Sequence, residues 1–95
     1  MNAIYVCRKG KQIKFTKGQQ VRVREWNDMV EEFGTRENNQ DIDCEGVFIP
    51  SMLHLCGSVA IITYIGNYDY RIHLNFIDCV GCTDFIYSID MVEPM

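Results

Sequence analysis

Tyr68-Asp69-Tyr70-Arg71-Ile72-His73-Leu74-Asn75-Phe76 alternates apolar and polar residues without a break. Side chains on a strand point to opposite faces in turn, so this stretch reads as a half-buried β-strand. Asp69, Arg71, His73 and Asn75 fall on its polar side, which makes His73 a surface residue. Gly66-Asn67 before it supplies a turn, and the run 59–65 before that is almost continuously apolar and of strand length. Two strands joined by so tight a turn pair antiparallel.

The same pattern continues outward. Residues 3–7 and 12–16 read as strands around the turn Arg8-Lys9-Gly10-Lys11, and Lys17-Gly18 makes the next turn. In 20–24, Val21 and Val23 face one way, while Gln20, Arg22 and Arg24 form a cationic outer face. The period then changes. Trp26, Met29, Val30 and Phe33 make one stripe of a two-turn helix, with Asn27 as N-cap, Asp28 in the first turn and Gly34 as the stop. Residues 35–40 are a polar loop and 41–46 an acidic turn. Pro50-Ser51-Met52-Leu53-His54-Leu55 is a short helix opened by proline. Residues 78–84 form another turn, 85–89 the last strand, and Met91-Val92-Glu93-Pro94 closes the domain. Five or six short strands with two small helical insertions imply a mainly β (α+β) fold. The natural closure is a small SH3-like antiparallel barrel over residues 1–95, which hides the sheet edges.

The 95 residues are 47% hydrophobic and 23% charged, enough for a core and too few for a multidomain enzyme. No apolar run approaches the roughly 20 residues of a membrane span. The net charge of −4 hides an asymmetry: residues 1–24 carry +7 and no acid, and residues 25–95 carry −11. The acidic excess makes general nucleic-acid binding the lesser expectation and suits competition for a basic groove on a protein. Glu37, Asp41, Asp43 and Glu45, with Asp69, Asp78 and Asp84 near turns, are the candidate partner-binding residues. The rival reading uses Lys9, Lys11, Lys14 and Arg22 of the basic N-terminal region on phosphates. A third is self-assembly through an apolar sheet edge. The tyrosines at 64, 68, 70 and 87 are candidates for stacking or anchoring, with core packing expected for those on the apolar alternation.

Five cysteines, an odd number without a secretion signal, argue against a disulfide framework. Cys79-Val80-Gly81-Cys82 has the form of a zinc knuckle, a tight turn aiming two thiolates at one ion. Tetrahedral Zn2+ needs two more ligands; Cys44 and Cys56 are favoured, with His54, His73 and Cys7 as substitutes. Such a closed site is structural. The opposing reading makes Cys7 and Cys56 small core residues. Asp41-Ile42-Asp43-Cys44-Glu45-Gly46 matches the first half of a calcium loop, but Met52 stands where the bidentate glutamate is needed. No nucleophile motif or phosphate loop accompanies either histidine, so the expectation is a protein that is not an enzyme.

Several segments share an order seen elsewhere: 15–24, then Trp26 and Met29, Glu32-Phe33-Gly34, Asp41-Ile42-Asp43-Cys44, Phe48, Met52, Leu55-Cys56-Gly57, and Asp90-Met91-Val92-Glu93-Pro94. This order resembles small SH3-like proteins carried by phages and prophages of Gram-positive bacteria. The resemblance covers residues 15–95. Cys44 and Cys56 are recurring positions in that pattern; the Cys79/Cys82 knuckle and residues 3–15 depart from it. In size, acidity and lack of enzyme motifs the chain is also similar to anti-CRISPR proteins. That likeness implies an inhibitor of a bacterial Cas9-type nuclease, acting in the cytoplasm of the bacterial host, whose acidic surface blocks guide or target DNA loading.

Overall fold

The computed structural model describes residues 3–37, 40–77 and 85–95. Cys79, Cys82, Asp78 and Asp84 lie outside the described residues. The fold is mainly β with short helices, as expected. Strands β1 (Ala3–Arg8) and β2 (Lys11–Thr16) form a separate hairpin. Its two-residue turn, Lys9-Gly10, has φ of 50° and 79°. Positive φ at both positions is the geometry that matches the twist of paired strands, and the glycine adopts it freely. Ile4, Val6, Ile13 and the fully buried Phe15 pack the hairpin on the core.

The main sheet contains β3 (Gln20–Val23), β4 (Val59–Ile65), β5 (Arg71–Phe76), β6 (Tyr87–Ser88) and β7 (Val92–Pro94). Their order is β6-β5-β4-β3-β7, with every pairing antiparallel. The two outermost strands, β6 and β7, are joined by only the 3₁₀ turn Ile89–Met91. A flat five-stranded sheet would hold its edges about 19 Å apart, and one 3₁₀ turn spans about 6 Å. The sheet therefore curls into a half-barrel, and the turn joins its edges.

The curl encloses Val21, Val23, Ala60, Ile62, Ile65 and Ile72. Helix α1 (Trp26–Phe33), the 3₁₀ helix Pro50–Leu55 and the loop between them add Met29, Ile42, Phe48, Met52 and Leu55. Trp26 lies against Phe48 with ring centroids 5.9 Å apart. The apolar run of β4 has a simple cause: its register against β5 shifts between Ile62 and Tyr64, a bulge that exposes Thr63 and Tyr64 together and returns Ile65 to the core.

Five local expectations are corrected. The N-cap of α1 is Glu25, not Asn27; the Met29 amide donates to the Glu25 carbonyl and closes the first turn one residue pair earlier. The 68–76 alternation is strand only from Arg71. The Gly66 amide donates to the Arg71 carbonyl at 2.7 Å, so Tyr68, Asp69 and Tyr70 form the connecting turn. Tyr68 and Tyr70 are therefore exposed rather than core. Of the expected strand 85–89 only Tyr87–Ser88 is strand, and residues 92–94 form a further and last strand, β7, against β3. Arg24 is buried, not part of an outer cationic face. Cys7 is exposed on the outer side of β1, not a core residue.

Candidate partner-binding surface

The charges sort into those the fold consumes and those it displays. Arg24 follows β3 at the point where the chain leaves for α1, and its side chain is 2% exposed. Its guanidinium donates to Asp28 Oδ2 at 2.9 Å, to Glu32 Oε1 at 2.7 Å and to the Asp90 carbonyl at 2.9 Å. It also lies 5.5 Å from the centre of the Phe33 ring. Burial alone would lower its pKa, but the two carboxylates outweigh burial and raise it. Arg8 is consumed similarly: it donates to the Val92 and Ile89 carbonyls at 2.6 Å each and lies over the Phe15 ring. Burial and the nearby Arg24 lower its pKa. Together these arginines fasten the hairpin, α1, β3 and the 89–92 segment to one another.

The expected cationic set is split by the same geometry. Lys9 Nζ is 3.7 Å from Asp28, and Lys11 lines a mixed-charge cleft with Glu32, Glu93 and Pro94. Lys14 stands on the outer face of β2 opposite Tyr5, and Arg22 is exposed on β3. They form no single phosphate-reading stripe.

The acidic set is partly assembled. Ile42 is buried and bridges to Thr35 and Phe48, so the acidic segment 41–46 is tied into the fold rather than being a bare turn. Asp43 pairs with Arg36 at 3.3 Å, both exposed. Glu37 and Glu45 are exposed, and Asp41 is half-buried. The Glu45 amide donates to Asp90 Oδ2 at 3.1 Å, and the Ser88 hydroxyl donates to the Glu45 carbonyl. These bonds hold the loop against the 3₁₀ turn between β6 and β7. Glu45 and Asp69 both line a shallow groove of about 130 Å³, together with Arg71, Ile86 and Ser88. Asp69 serves its own turn as well: its Oδ1 accepts from the Arg71 amide at 3.1 Å. A Cβ at Gly66 would lie 2.6 Å from that oxygen, so a larger residue there would displace the Asp69 carboxylate from its place in the turn.

Cys44 is 7% exposed within the core, and burial, then Asp90, push its thiol up to about 11. Cys56 caps the 3₁₀ helix half-buried, with burial raising its pKa. His54 is exposed and lies 6.4 Å, ring to ring, from Phe85, three residues beyond Cys82. His73 is exposed, as expected, and stacks on Tyr64 at 4.7 Å. Among the described residues no three His, Cys, Asp or Glu side chains group to hold a metal ion. No helix among them is long and apolar enough to cross a membrane.

Two features escaped the sequence reading. The first is the buried Arg24, although its spacing to Asp28 and Glu32 places both carboxylates on one face of α1. The second is the exposure of Tyr68 and Tyr70, for which Gly66-Asn67 was the available signal. No protein-family model, no curated protein and no solved structure matches the chain.

Proposed function

We propose that this protein is a non-enzymatic inhibitor that binds the cationic groove of a nucleic-acid-handling host protein, with a bacterial Cas9-type defence nuclease as the partner to test first. The observation that carries this reading is that Glu45 and Asp69 line one groove together with the exposed Ile86. Carboxylates beside an exposed aliphatic side chain offer charge for steering and apolar area for holding. Glu37, Asp41 and Asp43 extend the same loop. Binding there would compete with guide or target DNA for the groove.

The test is a binding assay of the full chain against the nuclease, with and without guide RNA. Reversing Asp41, Asp43 and Glu45 to lysine is expected to weaken binding about tenfold or more at low salt, and parent binding should fall as salt rises. Undiminished binding by the charge-reversed chain would remove the reading.

We also propose a structural zinc ion held by Cys79 and Cys82 with two of Cys44, Cys56 and His54. The reading draws support from the ring contact of His54 with Phe85, which follows Cys82 by three positions in the sequence. Bound there, the ion would cross-link chain segments and add its binding energy to folding. Protein purified without added metal should contain about one zinc per chain, and Cys79→Ser should lose it and melt lower. Metal-free parent protein with an unchanged melting temperature would refute the site.

A further inference from the structure

We propose that the face shared by the β1–β2 hairpin and the 66–70 turn binds single-stranded nucleic acid, with Tyr5, Tyr68 and Tyr70 stacking on bases and Lys14 taking phosphate. This proposal is independent of the acidic-loop reading and concerns a different set of side chains. A cavity of about 210 Å³ opens between β1 and the turn, lined by Ile4, Tyr5, Gly66, Asn67, Tyr68 and Tyr70. Three of those six are tyrosines, 55%, 97% and 48% exposed in chain order. A ring 97% exposed contributes no packing to the fold, and its faces are open to a ligand. Tyr70 holds its place with φ of 56°, a left-handed conformation that bulky residues avoid. The turn thus sets two tyrosines beside a third on a separate sheet.

Charge selects the occupant. Lys14 is paired with Tyr5 in the strand register, and its ammonium lies 5.8 Å from the Tyr5 ring centre. None of the ion pairs among the described residues uses it. Asp69, between Tyr68 and Tyr70 in sequence, keeps its negative charge, but its Oδ1 accepts from the Arg71 amide and it lines the neighbouring groove rather than this cavity. A cationic peptide would meet Lys14 as a like charge. An anionic chain carrying flat rings meets a cation beside stacking surfaces, the combination that holds single strands without reading their sequence. In a duplex the base faces are occupied by neighbouring pairs, so the same surface has little to offer it. Lys9 pairs with Asp28, and Lys11 lines a different cleft with Glu32 and Glu93, so the salt dependence should be shallow and reflect about one phosphate contact.

The test measures fluorescence anisotropy of labelled oligodeoxyuridylate, oligouridylate and a duplex of about twelve nucleotides, within the site size of one small barrel. The full chain is used at about 50 mM salt, where phosphate contacts are strongest. Both single strands should bind, and the duplex should not. Tighter binding of the uridylate would identify RNA through its 2′-hydroxyl, and equal binding would identify backbone and stacking alone. Tyr68→Ala should weaken binding about 5- to 100-fold while Tyr68→Phe retains it, the effect of losing one stacked base. Its melting temperature should not move, because the ring is exposed. Lys14→Gln should weaken binding and flatten the logarithmic salt slope by about 0.7. Charge reversal at Asp41, Asp43 and Glu45 should leave strand binding intact, which separates this site from the groove proposed above. Absence of single-strand binding, equal binding by duplex, or unchanged binding by Tyr68→Ala would each overturn the proposal. So would a Tyr68→Ala chain that loses a protein partner while no oligonucleotide binds the parent.

Discussion

Arg24→Ala should lower the melting temperature by about 12–24 °C. Removing one partner of a buried ion pair costs about 3 kcal/mol or more, and a domain of this size loses about 4–8 °C per kcal/mol. The guanidinium is 2% exposed, and it satisfies two carboxylates and the Asp90 carbonyl at once. Its loss leaves a cavity where α1 meets the 89–91 turn. Asp28 and Glu32 soften the penalty, because each is 31% exposed and can recover water. Arg24→Lys should also destabilise, since an ammonium cannot form the same fork of bonds. Arg24→Met should cost less than either, because it fills the space without demanding partners. The pair also has a pH signature. The Arg24 hydrogen bond, against a smaller opposing effect of burial, holds the Asp28 carboxyl below its ordinary value of 3.8. A carboxyl depressed in the folded state stabilises above its unfolded pKa, and that contribution is lost as pH falls through the folded value. Parent stability should therefore hold down to about pH 4 and decline below it, and Asp28→Asn should flatten that decline. A thermal denaturation series in the parent and the four variants, run across pH, checks all of this. An Arg24→Ala chain melting within two or three degrees of the parent would show the network to be ornamental.

Phe15→Ala should cost about 3–5 kcal/mol, the usual range for emptying a fully buried phenylalanine site. That is a large part of the stability of so small a domain. Phe15 is the one hairpin residue that is fully buried, and the Arg8 guanidinium sits 5.4 Å from its ring centre. Its removal should free Arg8 from the Ile89 and Val92 carbonyls and detach the hairpin from the half-barrel. Amide exchange would then accelerate first in residues 3–16 and only later in β4 and β5. Ile13→Val, at a half-buried neighbour, should cost about 1 kcal/mol and leave that order intact. Uniform acceleration across every strand in Phe15→Ala would mean that the hairpin and half-barrel form one cooperative unit.

The elements that read correctly from the chain were those whose signal is local. The Lys9-Gly10 turn, the Trp26–Phe33 stripe and the proline-led 3₁₀ helix each carry their period and their stop within a dozen residues. So do the strands β4 and β5. The errors arose where a local pattern continued past the point at which a contact ended it. Tyr68 and Tyr70 keep the period of β5, but the Gly66–Arg71 hydrogen bond closes the turn first. Arg24 keeps the polar parity of β3, but the chain swings into α1 and carries the side chain under two carboxylates. The local roles of the acidic residues were equally hidden in the chain: Asp43 pairs with Arg36, the Asp69 carboxylate accepts from the Arg71 amide of its own turn, and Glu45 lines a groove with Asp69.

The amino-acid order by itself determined the helices, most of the strands, the antiparallel pairing and the uneven distribution of charge, because periodicity, turn chemistry and composition act over short distances, whereas β7 is a strand only through its pairing with β3. Only the tertiary structure decided which charges are spent inside the fold and which tyrosines face water. Those outcomes depend on residues far apart in the chain meeting across the curled sheet, and no local pattern encodes such a meeting.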